Sequence, residues 1–297
     1  MGNREPVAIV TSDLHFSDKM PRCRQEKDWL GYQAGVMDWL KDTCDEHGVP
    51  AILVGDIFDR HKHSNELVNL LIDRMPECYT TFGNHDISGH CEELKHKSAY
   101  GTFIRSKTAR EMNEIHILRG VRIHPFHFGQ EGSTCGNSKR VNVALVHEFV
   151  WHNSEPFPGC PPKGEVNELV SRFKGYDIIF AGDHHEFFTA QVGDTLVVNC
   201  GSLMRISSSQ CSYKPVVHLL YTDGSVEQIE VPTDDDKISR EHLDTKKDID
   251  NKIESFVSTL IIDDKDEISF EERVNQTMLS SEVSENVKEI MREAMDG

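Results

Sequence analysis

Residues 51–60 read Ala51-Ile52-Leu53-Val54-Gly55-Asp56-Ile57-Phe58-Asp59-Arg60. Four apolar residues stopped by a glycine fit a short buried strand, because the run is too brief for a helix. Charged groups follow immediately where that strand ends. The same grammar recurs along the chain. Val7–Ser12 runs into Asp13-Leu14-His15, and Tyr79–Phe82 into Gly83-Asn84-His85-Asp86. Val141–Val146 runs into His147-Glu148, and Ile178–Ala181 into Gly182-Asp183-His184-His185. Helical stretches are predicted between these runs, near 24–47, 64–75, 98–112 and 164–174. Such alternation implies an α/β fold with helices on the faces of a sheet.

In an open α/β sheet, ligands sit at the carboxyl ends of the strands. Five strand ends carrying Asp, Asn and His therefore point to one shared site. Oxygen and imidazole donors without thiolates suit Mn²⁺, Mg²⁺, Fe²⁺ or Zn²⁺. Residues two apart in an extended segment share a face, so Asp13 and His15 can reach one ion. The glycines before Asp56, Asn84 and Asp183 allow tight turns. Asp56 can bridge two ions, because a carboxylate has two oxygens. Each motif alone is common, and Asp59 serves equally as a loop support or a cap for the helix near 64–75. Their order and their position at strand ends carry the signal.

The set Asp-x-His, Gly-Asp-x-x-Asp, Gly-Asn-His-Asp, His and a final Gly-Asp-His-His resembles the signature of the calcineurin-like metallophosphoesterases over residues 7–232. The resemblance implies a four-layer α-β-β-α sandwich and a two-metal centre. It implies that Asp13, His15 and His185 hold one ion, that Asp56 bridges, and that Asn84, His147 and residue 183 hold the other. His85 would lie beside the ions without binding them. The family usually has His where this chain has Asp183, with His184 next to it, and the sequence leaves open which of the two ligates. An Asp there makes a harder shell, favouring Mn²⁺ or Mg²⁺ over Zn²⁺. Two ions about 3.5–4 Å apart would clamp a phosphodiester and acidify a shared water. His85 is then expected to orient the phosphate or protonate the leaving oxygen. Asp86 is expected to orient that imidazole or a ligand.

Within that family, Ser12-Asp13-Leu14-His15, Gly55–Asp59 and Gly201-Ser202-Leu203-Met204-Arg205 most resemble the SbcD/Mre-type DNA repair nucleases. This implies a manganese-dependent DNA exo- and endonuclease, a homodimer and an SbcC/Rad-type ATPase partner. Such dimers pack helices that here lie around Gln25–Asp45 and Ser64–Met75. Leu67, Leu70, Leu71 and Met75 sit there at helical spacing and face either a partner or the core. A net charge of −18 opposes nucleic-acid binding. Basic residues nevertheless cluster near the motifs: Lys19, Arg22, Arg24 and Lys27; Arg60 and Lys62; Lys95, Lys97, Arg105, Lys107 and Arg110; and Arg205. The competing expectations are a small-molecule phosphodiesterase or phosphatase with the same ligands, and a catalytically silent scaffold.

The 297 residues, 37% of them hydrophobic, suffice for one large domain with an appendage. Residues 1–232 read as the metallophosphoesterase domain. Gly193-Asp194 and Thr222–Gly224 mark two hairpins near its end, whose strands are expected to complete a second sheet. Residues 233–297 hold 19 acidic and 9 basic residues, a net of −10, and read as a helical capping or partner-binding segment with an amphipathic stretch at Phe270–Met295. Eight cysteines without a Cys-x-x-Cys pair, and no leader pattern, fit reduced thiols in a cytoplasmic protein. No apolar run approaches the roughly 20 residues of a membrane span.

Overall fold

A computed structural model of the chain describes residues 4–136, 138–153, 160–233 and 238–239. The remainder of the 233–297 segment, including the expected Phe270–Met295 helix, lies outside the described residues. Two six-stranded sheets form the centre of the fold. In the first, β1 (Pro6–Thr11), β2 (Ala51–Val54), β3 (Cys78–Thr81) and β4 (Ala109–Glu111) lie side by side and parallel. Antiparallel β11 (Val216–Tyr221) and β12 (Val226–Glu230) extend it beyond β1. The second sheet runs β5 (His116–Leu118), β6 (Val121–Phe126), β7 (Asn142–His147), β8 (Ile178–Gly182), β10 (Thr195–Asn199) and β9 (Phe188–Val192).

Side-chain parity explains the stacking. Successive residues of a strand face opposite ways. Ala8, Val10, Ile52 and Val54 from the first sheet meet Val143, Leu145, Ile178 and Phe180 from the second in one apolar core. Their neighbours Ile9, Ala51 and Leu53 face the other way, onto α1 (Trp29–His47), α2 (Asn65–Arg74) and α3 (Ala99–Arg105). On the far side, Ala144, Val146, Ile179 and Ala181 meet Leu169 and Phe173 at α4 (Val166–Arg172). Three cores separate four layers, in the order helices, sheet, sheet, helix. This is the expected sandwich, and it explains why β1, β2, β7 and β8 read as nearly continuous apolar runs: both their faces are buried.

Two expectations change, and one open alternative closes. The helix predicted over 98–112 stops at Arg105. Lys107 then takes a positive φ of 68°, and Ala109–Glu111 pairs with β3 as a strand. The second hairpin, β11–β12, joins the first sheet beside β1 and not the second sheet. Leu67 and Leu71 are fully buried in the first helical core, Met75 is buried with them, and Leu70 packs against it. That stripe therefore serves the chain's own interior. Among the described residues, no helix is long and apolar enough to cross a membrane.

Candidate metal centre

Beyond the strand ends, the motif loops stay paired. Asp13 N donates to the Gly55 carbonyl (3.2 Å), His15 N to Asp56 O (3.0 Å) and Phe16 N to Ile57 O (3.0 Å). The loops after β1 and β2 thus run as a short ladder. Ser202 stitches in the loop after β8: Ser202 N donates to the His185 carbonyl (3.0 Å), and Leu203 N to Asp13 O (3.4 Å). Buried Gln210 supports that stitch, donating from Nε2 to Ser202 Oγ (2.7 Å) and His185 O (3.2 Å). The Asp183 backbone N–H donates to both oxygens of Asp13 at 3.0 Å, and Ser12 Oγ donates to the same carboxylate. Ser12, Ser202 and Gln210 were not among the sequence candidates. A Ser207/Gln210 capping box was the only local signal for Gln210.

Backbone strain marks the same place. Among the described residues, seven non-glycines have positive φ, and four of them are Asp13 (50°), His15 (47°), Asp56 (50°) and Asp183 (85°). Such conformations cost about 1–3 kcal/mol each and persist only where surroundings enforce them.

Six of the seven predicted ligands come together as follows. His15 Nε2 lies 3.1 Å from His185 Nε2, 3.8 Å from Asp13 Oδ1 and 3.7 Å from Asp56 Oδ2. On the other side of the same Asp56 oxygen, His147 Nε2 is 3.3 Å away, and Asn84 Oδ1 is 3.2 Å from that nitrogen. Asp56 Oδ1 is occupied, accepting from His85 N at 2.9 Å. The bridging geometry therefore rests on one oxygen, Oδ2, not on the two anticipated. Asp56 is fully buried, and imidazole nitrogens face this oxygen without a well-aligned hydrogen bond. A buried carboxylate oxygen is expensive unless a cation neutralises it, a part that the His147 imidazolium takes in the metal-free chain. Nitrogen and oxygen lone pairs converge on it from two sides, so the donor set fits a pair of divalent ions. Asp183 contributes differently from the other six: its backbone fixes Asp13, and its side chain borders a cavity beside His147. His184 is turned aside, its Nδ1 2.8 Å from the Val150 carbonyl and its ring stacked on Phe149.

His147 sits in a socket made by three glycines. A Cβ on Gly55, Gly83 or Gly182 would meet its ring at or inside 2.9 Å. The Gly-Asp and Gly-Asn pairs in the motifs thus make room for an imidazole as well as a turn. Asp86 accepts from Phe58 N (3.0 Å) and Gly83 N (2.9 Å), tying the loop after β2 to the loop after β3. Its two oxygens hold backbone and not the His85 ring. His85 is anchored instead by Nδ1, 2.6 Å from the Asp59 carbonyl, and its ring is exposed at the rim, edge-on to His15. Asp59 is not the cap of α2, a role that Ser64 fills.

Electrostatics in the metal-free chain follow from this packing. Burial lowers His15 to about 3 and His185 to about 4, so both are neutral, with lone pairs available. Burial raises Asp13 to about 7, with Asp56 adding to the rise and His147 opposing it. For His147 burial pulls downward, but the Asp56 carboxylate outweighs it and raises the group to about 10. His147 Nδ1 donates to Val54 O at 2.7 Å, so the extra proton sits on Nε2, where an ion would bind. A raised folded-state value means the protonated ring stabilises the metal-free fold fully below its ordinary 6.5 and loses that effect as pH rises through about 10. Metal loading at pH 7 is therefore expected to expel about one proton per chain from His147, with a further fraction from Asp13. Calorimetric titration of Mn²⁺ in two buffers of different ionisation enthalpy measures this. Zero net release would contradict the assignment of His147 as a ligand.

A family model, the calcineurin-like phosphoesterases, matches residues 7–187. The chain belongs to this family. Membership makes it a metal-dependent phosphoesterase by descent, and the match spans all five motifs. No curated protein sequence matches it significantly. Among solved structures, an archaeal phosphodiesterase is 14% identical, covering 75% of this chain and 98% of its own, with a TM-score of 0.40. The zinc complex of Vps29 from Entamoeba histolytica is 13% identical over 76% of this chain and 99% of its own, with a TM-score of 0.33. At such scores neither protein's substrate nor its metal carries over.

The expected basic clusters are partly consumed by the fold. Arg205 is fully buried, with Nη1 donating to Cys211 O at 3.1 Å. Arg24 is buried too, paired with Glu26 and lying 4.2 Å over the Tyr32 ring. Lys95 pairs with Glu111 (2.7 Å) and Arg110 with Glu77 (3.1 Å). Lys19, Arg22, Lys27, Lys62, Arg105 and Lys107 remain exposed.

Proposed function

We propose that this phosphoesterase hydrolyses phosphodiesters at two divalent ions, one held by Asp13, His15, Asp56 and His185, the other by Asp56, Asn84, His147 and Asp183. The observation that carries it is the buried Asp56 Oδ2 with imidazole nitrogens on both sides. When bound, the ions would neutralise phosphate oxygens and supply a water acidic enough to attack near neutral pH. The chain's own groups do the positioning. His85 orients the phosphate or gives a proton to the leaving oxygen, and the Asp59 carbonyl fixes its ring. Asp86 holds the loop that carries Asn84 and His85. Since His184 is engaged by Val150 and Phe149, the oxygen donor at Asp183 completes the shell, and manganese or magnesium suits it better than zinc.

The finer reading is a homodimeric DNA exo- and endonuclease acting with an SbcC/Rad-type ATPase in repair or recombination. Ser12–His15 and Gly201–Arg205 support it, as do exposed Lys19, Arg22 and Lys62. Burial of Arg24 and Arg205 favours the second reading, a phosphodiesterase for small molecules. Mn²⁺-dependent digestion of end-labelled duplex and single-stranded DNA separates them. Degradation establishes the nuclease. Hydrolysis of bis-p-nitrophenyl phosphate without DNA cleavage establishes the small-molecule enzyme, and hydrolysis of neither refutes the proposal.

A further inference from the structure

Among the described residues, two cavities that border the candidate centre differ in charge. One, of about 240 Å³, is lined by His147, Asp183, Phe128, Phe149 and Pro161. Its cations, Lys163 and Arg172, are outnumbered by Glu131, Glu148 and Asp183, and Arg172 is held by Glu148 (3.1 Å). The other, of about 230 Å³, begins at His15 and is walled by Lys19, Arg22 and Arg60 against the single carboxylate of Asp59. In a chain of net charge −18, this is a local reversal of sign.

The basic cavity is built into the fold. Its floor is Ser17, whose backbone is gripped from α1. Ser17 N donates to Gln33 Oε1 (2.8 Å), and Gln33 Nε2 donates back to Ser17 O (3.0 Å). Trp29 Nε1 donates to the same carbonyl at 2.9 Å, and Ser17 Oγ closes the turn onto Lys19 O at 3.0 Å. Gln33 is fully buried. On the far wall, Asp59 Oδ2 accepts from Arg60 Nε (3.3 Å) and so steers that guanidinium. Arg22 is followed by buried Arg24, whose N–H donates to Pro21 O (2.9 Å) and whose side chain is locked on Glu26. The backbone that carries Lys19 and Arg22 is thus braced beside His15, and Arg60 is steered by Asp59. A guanidinium pairs bidentately with phosphate oxygens, and an ammonium serves as a point charge.

Resting on the proposed phosphodiester hydrolysis, we infer that this cavity is a subsite for a second phosphate group of the substrate, adjacent to the one that is cleaved. The substrate class is then a phosphodiester that is anionic on the His15 side and apolar or aromatic on the His147 side. A nucleotide ester bearing a further phosphate has this chemistry. The further phosphate could belong to a small dinucleotide or to a polynucleotide strand.

The test compares the p-nitrophenyl ester of thymidine 5′-phosphate with and without a 3′-phosphate, using the full chain loaded with Mn²⁺. The 3′-phosphate is expected to lower KM about tenfold. In Lys19→Ala/Arg22→Ala this advantage is expected to shrink to within about twofold. Calorimetric binding of thymidine 3′,5′-bisphosphate against the 5′-monophosphate is expected to show the same loss without relying on turnover. Oligothymidylates of increasing length then assign the source. A KM that levels off at two phosphates indicates a small molecule, and one that keeps falling indicates a strand. Equal KM for both esters, with both hydrolysed, would overturn the subsite and leave the phosphodiesterase reading intact. Hydrolysis of neither ester, nor of bis-p-nitrophenyl phosphate, would overturn both.

Discussion

Gly83→Ala is expected to abolish metal-dependent turnover, with a fall of at least about 10²-fold, because it displaces two ligands at once. The new Cβ would lie 2.6 Å from His147 Nε2 and inside contact distance of Asp56 Oδ1. Neither neighbour can yield cheaply. His147 is fixed through Nδ1 on Val54 O and walled by Gly55 and Gly182, and Asp56 is anchored by His85 N. The backbone at Gly83 is not in the left-handed region, so the effect is purely steric. Overpacking of this kind also destabilises a fold by about 1–3 kcal/mol. Metal content after dialysis, read with activity on bis-p-nitrophenyl phosphate, measures both. Gly35→Ala is the control. That exposed glycine lies in α1 with nothing within 4 Å of its new Cβ, so the change should stabilise the chain by up to about 1 kcal/mol. If Gly83→Ala kept two ions and full activity, the socket around His147 would lose its meaning.

His85→Ala should separate chemistry from metal binding. The contact that anchors Asp56 comes from the His85 backbone and survives truncation. Only the ring is lost, with its 2.6 Å tie to the Asp59 carbonyl. Metal content is therefore expected to stay unchanged while kcat falls about 10²–10⁴-fold, the usual contribution of a positioned acid or base. A parallel loss of metal would make His85 a structural member of the centre.

Four of the five strands that feed the site were legible as short apolar runs buried on both faces, and β3, Cys78-Tyr79-Thr80-Thr81, was legible through its aromatic and β-branched residues. Asp13, His15, Asp56, Asn84, His147 and His185 were legible because they follow those runs directly. What escaped is non-local. The three-residue strands β4 and β5 exist through pairing with neighbours, and their composition, with Arg110, Glu111 and His116, says little. The strand β6 did carry a clue: Val121 and Ile123 alternate with Arg122 and His124. Nothing local says that β11 pairs with β1, since that choice is made two hundred residues away along the chain. Burial of Arg24 and Arg205 was equally invisible, because an arginine reads as a surface charge until its partners are known. Ser202 and Gln210 support the site through backbone carbonyls, which carry no residue-specific pattern.

Every inter-sheet stitch at the centre has a consequence for how the protein matures. Asp13, His15, Asp56 and Asn84 follow strands of one sheet, whereas His147, Asp183 and His185 follow strands of the other. Neither sheet alone offers the whole donor set: four of the seven come from the first and three from the second. A nascent or damaged chain with one sheet formed would have no assembled place for an ion pair, and so no means of cleaving phosphate bonds before the sandwich closes. Metal occupancy would then serve as proofreading: molecules carrying the full complement are those whose two halves have docked in register.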